Sequence, residues 1–358
     1  MNIISYKFRL YPTKEQEQYF AQCFGNSRFL WNKMLEDSEK HYKETRKFLN
    51  IKSYLPYKRW FFDNTDSTLC SNVWKYFRQS YKNFFESGFG KPKFKSKKSY
   101  KDSYTTNNID NGIRIQGNKI KLPKIGWIKL KVHRKIEGTI KNATISKDNI
   151  GNYYISLTCQ TSKNFILGKV NSIVGIDLGI KDLYTDSNGN KVENPKYHQK
   201  STKKIKKLQK NLSRKRKGSK NYEKARLKLA KTNLKVSNQR KDYLHKVSKQ
   251  LINDNQVICL ESLSIKDLCK TKNPNFNRAS QDAGLGMFIS FIVYKANLYG
   301  RTIKVVDKYF PSSQICSSCG ELHPEMKNLN NRTLVCKSCG TVLDRDTNAA
   351  LNILNNAK

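Results

Sequence analysis

Ser172-Ile173-Val174-Gly175-Ile176-Asp177-Leu178-Gly179 is an apolar run with a single acid inside it. A run of this length bounded by glycine reads as a buried strand. A carboxylate in such a strand is costly unless it is paired or bound to a cation, so Asp177 demands a chemical reason. The device recurs at Val257-Ile258-Cys259-Leu260-Glu261. Between the two, Asp182–Asp186 and Lys191–Glu193 read as strands joined by a turn at Asn188-Gly189. Further on, the pattern predicts a helix over 287–299 and a strand over Thr302–Val306. A last helix is predicted over 347–355, with Asp346 just before it. Strand with Asp, β meander, helices, strand with Glu, then a late Asp at a helix start is the order of an RNase H-like nuclease fold.

Three carboxylates on separate elements, with no His or Ser arrangement beside them, suit metal-assisted phosphodiester hydrolysis. Two Mg²⁺ ions are expected, since hard oxygen donors suit that ion. Asp177 is expected to bridge both, with Glu261 and Asp346 each holding one side. Of the pair Asp344 and Asp346, two residues apart on an extended approach, only one can face the cluster. The positive end of the last helix favours Asp346. Asp344 reads instead as a salt-bridge or turn residue.

Two cysteine pairs, Cys316/Cys319 and Cys336/Cys339, are separated by 16 residues. That spacing reads as a four-thiolate zinc site. Four cysteines fill a tetrahedron, so one structural Zn²⁺ stapling a small ribbon is expected. The other five cysteines are scattered, which suits a reducing compartment.

The 358 residues carry 69 Lys+Arg against 28 Asp+Glu, a formal charge of +41. Such a chain repels itself without a polyanion, which makes nucleic acid the expected partner. No apolar run of membrane-spanning length is present, so a membrane partner is not expected. Over 200–249 there are 20 basic residues against two acids, Glu223 and Asp242. Ile205, Leu208 and Leu212, then Leu227, Ala230 and Leu234, then Tyr243, Val247 and Leu251 keep helical spacing through it. Two amphipathic helices broken near Gly218-Ser219 follow, with a cationic face for phosphates. Candidate contacts are Lys203, Lys204, Lys206, Lys207, Arg214 and Arg216. A second cationic stretch, irregular by composition, offers Lys91, Lys93 and Lys95.

Upstream, residues 3–10 alternate as a strand ending before Pro12, and Thr13 opens a helical segment that runs to about Glu86. Phe20, Phe24, Phe29, Leu30, Trp31, Met34 and Leu35, then Val73, Phe77, Tyr81, Phe84 and Phe85, recur at helical spacing as core. Short strands are predicted at 112–115, Lys119–Leu122, 127–132, 142–146 and 153–158. They form a small barrel or twisted sheet that the first strand could join.

Four motifs, Gly175-Ile176-Asp177-Leu178-Gly179, Leu260-Glu261-Ser262, Pro311-Ser312-Ser313-Gln314-Ile315-Cys316 and Asp344-Arg345-Asp346-Thr347-Asn348-Ala349-Ala350, stand in this order. In them the chain resembles the TnpB (OrfB) proteins of bacterial insertion sequences, relatives of the type V CRISPR nucleases. Weaker matches lie at Tyr81-Lys82-Asn83-Phe84-Phe85, Pro92-Lys93-Phe94-Lys95 and Lys121-Leu122-Pro123-Lys124.

The resemblance implies an α+β and α/β multidomain chain. A split β-barrel (wedge, 1–11 and 89–168) would carry an inserted helical recognition lobe (12–88). A RuvC-like RNase H fold (169–310, with the basic helices at 200–250) would carry a zinc ribbon (311–343) and its last motif (344–358). It implies an RNA-guided endonuclease that cuts double-stranded DNA beside a short adjacent motif. The guide is a structured RNA from the element's own end, with one protein per RNA, in the bacterial cytoplasm at the nucleoid. Ser67, Ser71, Thr105 and Thr106 fall where motif-reading residues sit. Two rival readings stay open. One is a nuclease-dead RNA-guided repressor; the other is a guide-free transposition factor or transposase.

Overall fold

A computed structural model describes residues 2–98, 102–262, 274–307 and 309–357. The chain forms two compact units, Met1–Asn164 and Phe165–Lys358.

In the first unit β1 (Asn2–Tyr11) is followed by two long helices, α1 (Lys14–Thr45) and α2 (Leu69–Glu86). Then come β2 (Asp102–Asn107), β3 (Arg114–Gln116), β4 (Lys119–Leu122), β5 (Gly126–Lys131), β6 (Thr139–Lys147) and β7 (Tyr153–Thr161). The seven strands make one curled antiparallel sheet in the order β2-β6-β7-β1-β5-β4-β3. β1 therefore lies inside a sheet whose other strands come after the helices, pairing with β7 from Asn2↔Thr161 to Leu10↔Tyr153. The helices are an insertion into a split sheet, as the sequence implied.

α1 begins at a capping box. The Thr13 hydroxyl accepts the Gln16 N–H at 3.3 Å, and the Gln16 side chain accepts the Thr13 N–H at 3.1 Å. Phe20, Phe24, Leu30, Trp31, Met34 and Leu35 are buried, together with Val73, Phe77 and Tyr81. Phe29 and Phe85, expected in that core, stand 39% and 59% exposed.

β2 was not expected. Its sequence, Asp102-Ser103-Tyr104-Thr105-Thr106-Asn107, has no apolar alternation, yet Tyr104, Thr105 and Thr106 are buried. Hydroxyl partners supply what the pattern lacks. Thr106 donates to Asp66 at 2.6 Å, and Thr105 shares a hydrogen bond with Thr144 at 2.9 Å.

The second unit holds β8 (Ile173–Leu178), β9 (Asp182–Asp186), β10 (Lys191–Glu193), β11 (Val257–Glu261) and β12 (Thr302–Val306) in the order β10-β9-β8-β11-β12. The first three are antiparallel, and β11 and β12 run parallel to β8. That is the strand order of an RNase H-like sheet. α3 (Tyr197–Ser213) and α4 (Lys220–Asp254) are separated at Gly218, whose φ of +85° suits glycine. α5 (Pro274–Ala283) and α6 (Leu285–Tyr299) precede β12, and α7 (Arg345–Asn356) ends the described chain.

Val174, Ile176, Ile258 and Leu260 pack on one side with Leu244, Leu251 and Ile252 of α4 and Phe288, Ile292 and Ala296 of α6. Each such side chain removed from water contributes about 1.5–3 kcal/mol as an upper estimate. Cys259 and Val306 meet Ile353 of α7 in a separate cluster. Between β12 and α7, β13 (Thr333–Val335) and β14 (Val342–Asp344) form the two-stranded ribbon. Among the described residues no helix is long and apolar enough to cross a membrane.

Candidate active site and metal centre

Parallel pairing carries Asp177 and Glu261 to the same edge of the sheet. Gly175 faces Cys259 and Ile176 faces Leu260, so the next residue on each strand is an acid. α7 brings the third. It crosses β8 so closely that a Cβ at residue 175 would lie 2.2 Å from the Ala350 carbonyl oxygen and 2.7 Å from the Leu354 nitrogen. Only glycine fits there, and the approach aims the first turn of α7 at the end of β8.

Asp177, Glu261 and Asp346 line one cleft of about 540 Å³ with Thr185, Arg332 and Arg345. Asp177 is half-buried, and its pKa is pushed up to about 7. Desolvation is the largest cause, followed by the charges of Asp346 and Glu261, while Arg345 pulls the other way. Burial also raises Glu261. The three acids share a partly dry cleft in which two negative neighbours raise the cost of ionising Asp177.

α7 starts two residues earlier than predicted, because Asp344 is its N-cap. The Asp344 Oδ1 accepts the backbone N–H groups of Asp346 and Thr347 at 3.1 and 3.2 Å. Its other oxygen pairs with Lys191 at 2.7 Å. Those hydrogen bonds and the Lys191 charge hold Asp344 below its usual value against the desolvation that would raise it.

Sequence reasoning assigned no role to three neighbours. Arg345 is buried and donates to the Asn328 carbonyl at 3.2 Å and the Ser313 hydroxyl at 3.4 Å. Asn348, fully buried, donates to the Ile315 carbonyl at 2.7 Å and accepts the Ser317 N–H at 2.9 Å, tying α7 to the first cysteine loop. Arg332 comes from the ribbon and stands 3.8 Å from Asp346. Arg345 and Asn348 lie within a quoted motif, whereas nothing local marks Arg332.

Cys316, Cys319, Cys336 and Cys339 converge with their sulfurs within 4.8 Å of one another, and could hold one metal ion. Cys316 and Cys339 are 3.7 Å apart, and Cys319 and Cys336 3.4 Å. Both loops turn through a positive-φ glycine, Gly320 and Gly340. The Thr341 hydroxyl, 3.0 Å from Cys339, holds that thiol below its ordinary value, toward the thiolate a metal needs.

Lys203, Lys204, Lys206, Lys207, Arg214 and Arg216 are all exposed on α3 and the break after it. In the first unit Lys93 is exposed, while Lys91 is engaged by Glu39 at 3.0 Å. Lys95 is half-buried 3.5 Å over the Trp31 ring, and desolvation lowers its pKa to about 8. Of the motif-reading candidates, Ser67 is exposed and Ser71 half-buried, its hydroxyl on the Thr68 carbonyl at 2.9 Å. Thr105 and Thr106 are buried, and the hydroxyl of Thr106 is turned inward to Asp66. Thr106 is fully buried, and its hydroxyl proton is given to Asp66.

Family models match three segments. They are described as "Probable transposase" over 166–272, "Cas12f1-like, TNB domain" over 286–353 and "Helix-turn-helix domain" over 1–47. The last name does not describe the structure, where that segment is β1 followed by one continuous helix. A Streptomyces pristinaespiralis protein named "Putative RNA-guided DNA endonuclease" is 33% identical over 98% of this chain and 88% of its own length. "TnpB-like protein L770" of Acanthamoeba polyphaga mimivirus is 26% identical over 98% of this chain and 73% of its own. The chain belongs to the TnpB family. A solved Cas12f1–sgRNA–target DNA complex has the same fold, with a TM-score of 0.64 at 17% identity over 97% of this chain and 84% of that one. The match to the TNB model runs from α6 through the ribbon into α7, so this family segment includes both the four cysteines and Asp346.

Proposed function

We propose that this TnpB-family chain is an RNA-guided endonuclease of a transposable element that cuts double-stranded DNA at Asp177, Glu261 and Asp346. The guide is a structured RNA from the element's own end, and cutting requires a short target-adjacent motif. One protein acts per RNA, in the bacterial cytoplasm. The observation that carries the reading is the convergence of three carboxylates on one cleft, with Asp177 pushed up to about 7 by burial and by its two neighbours.

These oxygens fit Mg²⁺, a hard cation that takes one or two carboxylates and keeps its waters. Bound there, two Mg²⁺ ions supply an activated water and charge stabilisation at the leaving oxygen. Asp177, on the central strand, would hold both ions, and Glu261 and Asp346 would hold one each. Arg332 carries positive charge to the same cleft, where it can meet a phosphate oxygen. The ribbon fits one Zn²⁺. Its sulfur pairs at 3.4 and 3.7 Å come close to the roughly 3.8 Å edge of a tetrahedron with zinc–sulfur bonds of about 2.3 Å. Four thiolates leave no open position, so this metal holds structure. The exposed cations of α3 hold phosphate backbone, while Ser67 remains the most accessible of the motif-reading candidates.

The test is Asp177→Ala in the assembled ribonucleoprotein. RNA and target binding should persist while cleavage is abolished, because the binding surface lies outside the carboxylate cluster. Cleavage that survives the change moves the site elsewhere, and cleavage by RNA-free protein removes the guided reading.

A further inference from the structure

A second groove opens beside the catalytic cleft, with a volume of about 780 Å³. Ile180, in the turn after β8, lines both, so the two adjoin in the second unit. The groove runs between α3 and α5, with His198, Lys206 and Gln209 on one wall and Arg278 and Asp282 on the other. Asn194 and Lys196 close one end, and the Asn194 side chain donates to the Ile180 carbonyl at 2.7 Å, fixing the doorway.

Its charge is of one sign. Lys196, Lys206 and Arg278 form no ion pair among the described residues. The only acid, Asp282, is fully engaged by the fold. One of its oxygens accepts the His198 N–H at 3.0 Å and Arg240 at 2.7 Å, and the other accepts the Gln199 N–H at 3.0 Å. Those bonds also close the N-terminus of α3, so the lysine and arginine side chains, and not helix amides, remain for an anion. The other polar lining is amide, hydroxyl and the His198 imidazole, and no Phe, Tyr or Trp ring is present among the lining residues. Its cations, Lys196, Lys206 and Arg278, suit phosphate oxygens.

We propose that this groove holds the backbone of single-stranded target DNA immediately beside the phosphate being cut. The proposal deepens the nuclease reading and rests on it. A strand whose phosphate lies at Asp177 must leave the cleft, and across Ile180 lies a groove of the required charge.

The experiment uses the full chain with its guide RNA. In Asp177→Ala protein, which keeps the DNA intact, single 4-thiothymidines are placed stepwise from the cut site and photo-crosslinked. Adducts should map to residues 194–209 and 275–282 for positions within a few nucleotides of the cut. In otherwise wild-type protein, Lys196→Ala/Arg278→Ala should slow cleavage at subsaturating target by roughly tenfold or more, the loss of at least one charged hydrogen bond. Target capture measured in the Asp177→Ala background should stay unchanged, and Lys196→Ala/Arg278→Lys should recover part of the rate. Cutting by wild-type protein with DNA adducts only elsewhere, or with guide RNA in their place at these peptides, overturns the groove alone. A wild-type ribonucleoprotein that cuts nothing overturns the nuclease reading, and the groove with it.

Discussion

Asp344 caps the helix that carries Asp346, its Oδ1 accepting the Asp346 backbone N–H at 3.1 Å. Two aspartates two residues apart are thereby given different tasks. The carboxylate of Asp344 is turned to backbone donors and to Lys191, while that of Asp346 lines the cleft. Asp346→Ala should therefore eliminate target cutting with stability largely kept. Asp344→Ala should keep much of the cutting and cost about 0.5–2 kcal/mol of stability, the worth of a helix cap. Both variants belong in one Mg²⁺-dependent cleavage assay with parallel melting curves. Asp346→Ala active with Asp344→Ala dead would reverse the assignment.

Cys316 is buried at the foot of the ribbon, and the loop it begins is tied to α7 through Asn348. Cys316→Ser should release the metal and lower the melting temperature before any effect on chemistry, since a four-thiolate site contributes directly to folding. Metal content by mass spectrometry and a thermal scan read both. A fully stable, zinc-free variant refutes the site.

Gly175 offers a test of how α7 is aimed. Gly175→Ala puts a methyl group within 2.2 Å of the Ala350 carbonyl, so α7 must shift off β8. Overpacking of this kind costs about 1–3 kcal/mol, occasionally more. Cleavage should fall further than stability alone explains, because Asp346 moves with the helix. A stable variant with wild-type cutting would show that the close approach is not needed.

The sequence carried the fold wherever a local pattern and a tertiary need coincide. An acid inside an apolar strand marked Asp177 and Glu261, and glycine at 218 marked the break between α3 and α4. It failed where the partner is remote. β2 is polar by pattern and is a strand only because Asp66 and Thr144 satisfy its threonines. Lys91 looks free until Glu39 is seen beside it, and Arg332 has no signal until the ribbon folds toward Asp346. The start of α7 was placed two residues late, because Asp344, read as a salt-bridge or turn residue, makes its salt bridge with Lys191 and also caps the helix.

Lys203, Lys204, Lys206 and Lys207 stand exposed on α3. Neutralising all four should weaken nucleic-acid binding and flatten its dependence on salt. If each contacts one phosphate, the slope of log affinity against log salt falls by roughly 3, at about 0.7–0.9 per contact. Titrations at several salt concentrations measure it. An unchanged slope would make the cluster an idle surface.

The raised pKa of Asp177 predicts how stability and Mg²⁺ respond to pH. An unfolded aspartate titrates near 3.9, while the native Asp177 titrates at about 7. Between those values the native state holds a proton that the unfolded chain has lost. Its stabilising contribution is complete below the unfolded value and disappears as pH rises through about 7. Glu261, raised by burial, acts in the same direction. Lys95 and Lys295, both lowered to about 8, act oppositely from about pH 8 upward, and Cys339, lowered to about 6, acts oppositely below that. Between roughly pH 5.5 and 7.5 the difference between wild type and Asp177→Asn therefore isolates the carboxylate. In Mg²⁺-free buffer the melting temperature of wild type should decline across that window relative to that of Asp177→Asn. Added Mg²⁺ should stabilise more at the top of the window than at the bottom, because proton and cation compete for the same oxygens. Scanning wild type and Asp177→Asn with and without Mg²⁺ gives all four curves. A Mg²⁺ stabilisation independent of pH, or unchanged in Asp177→Asn, would separate the cation from this carboxylate.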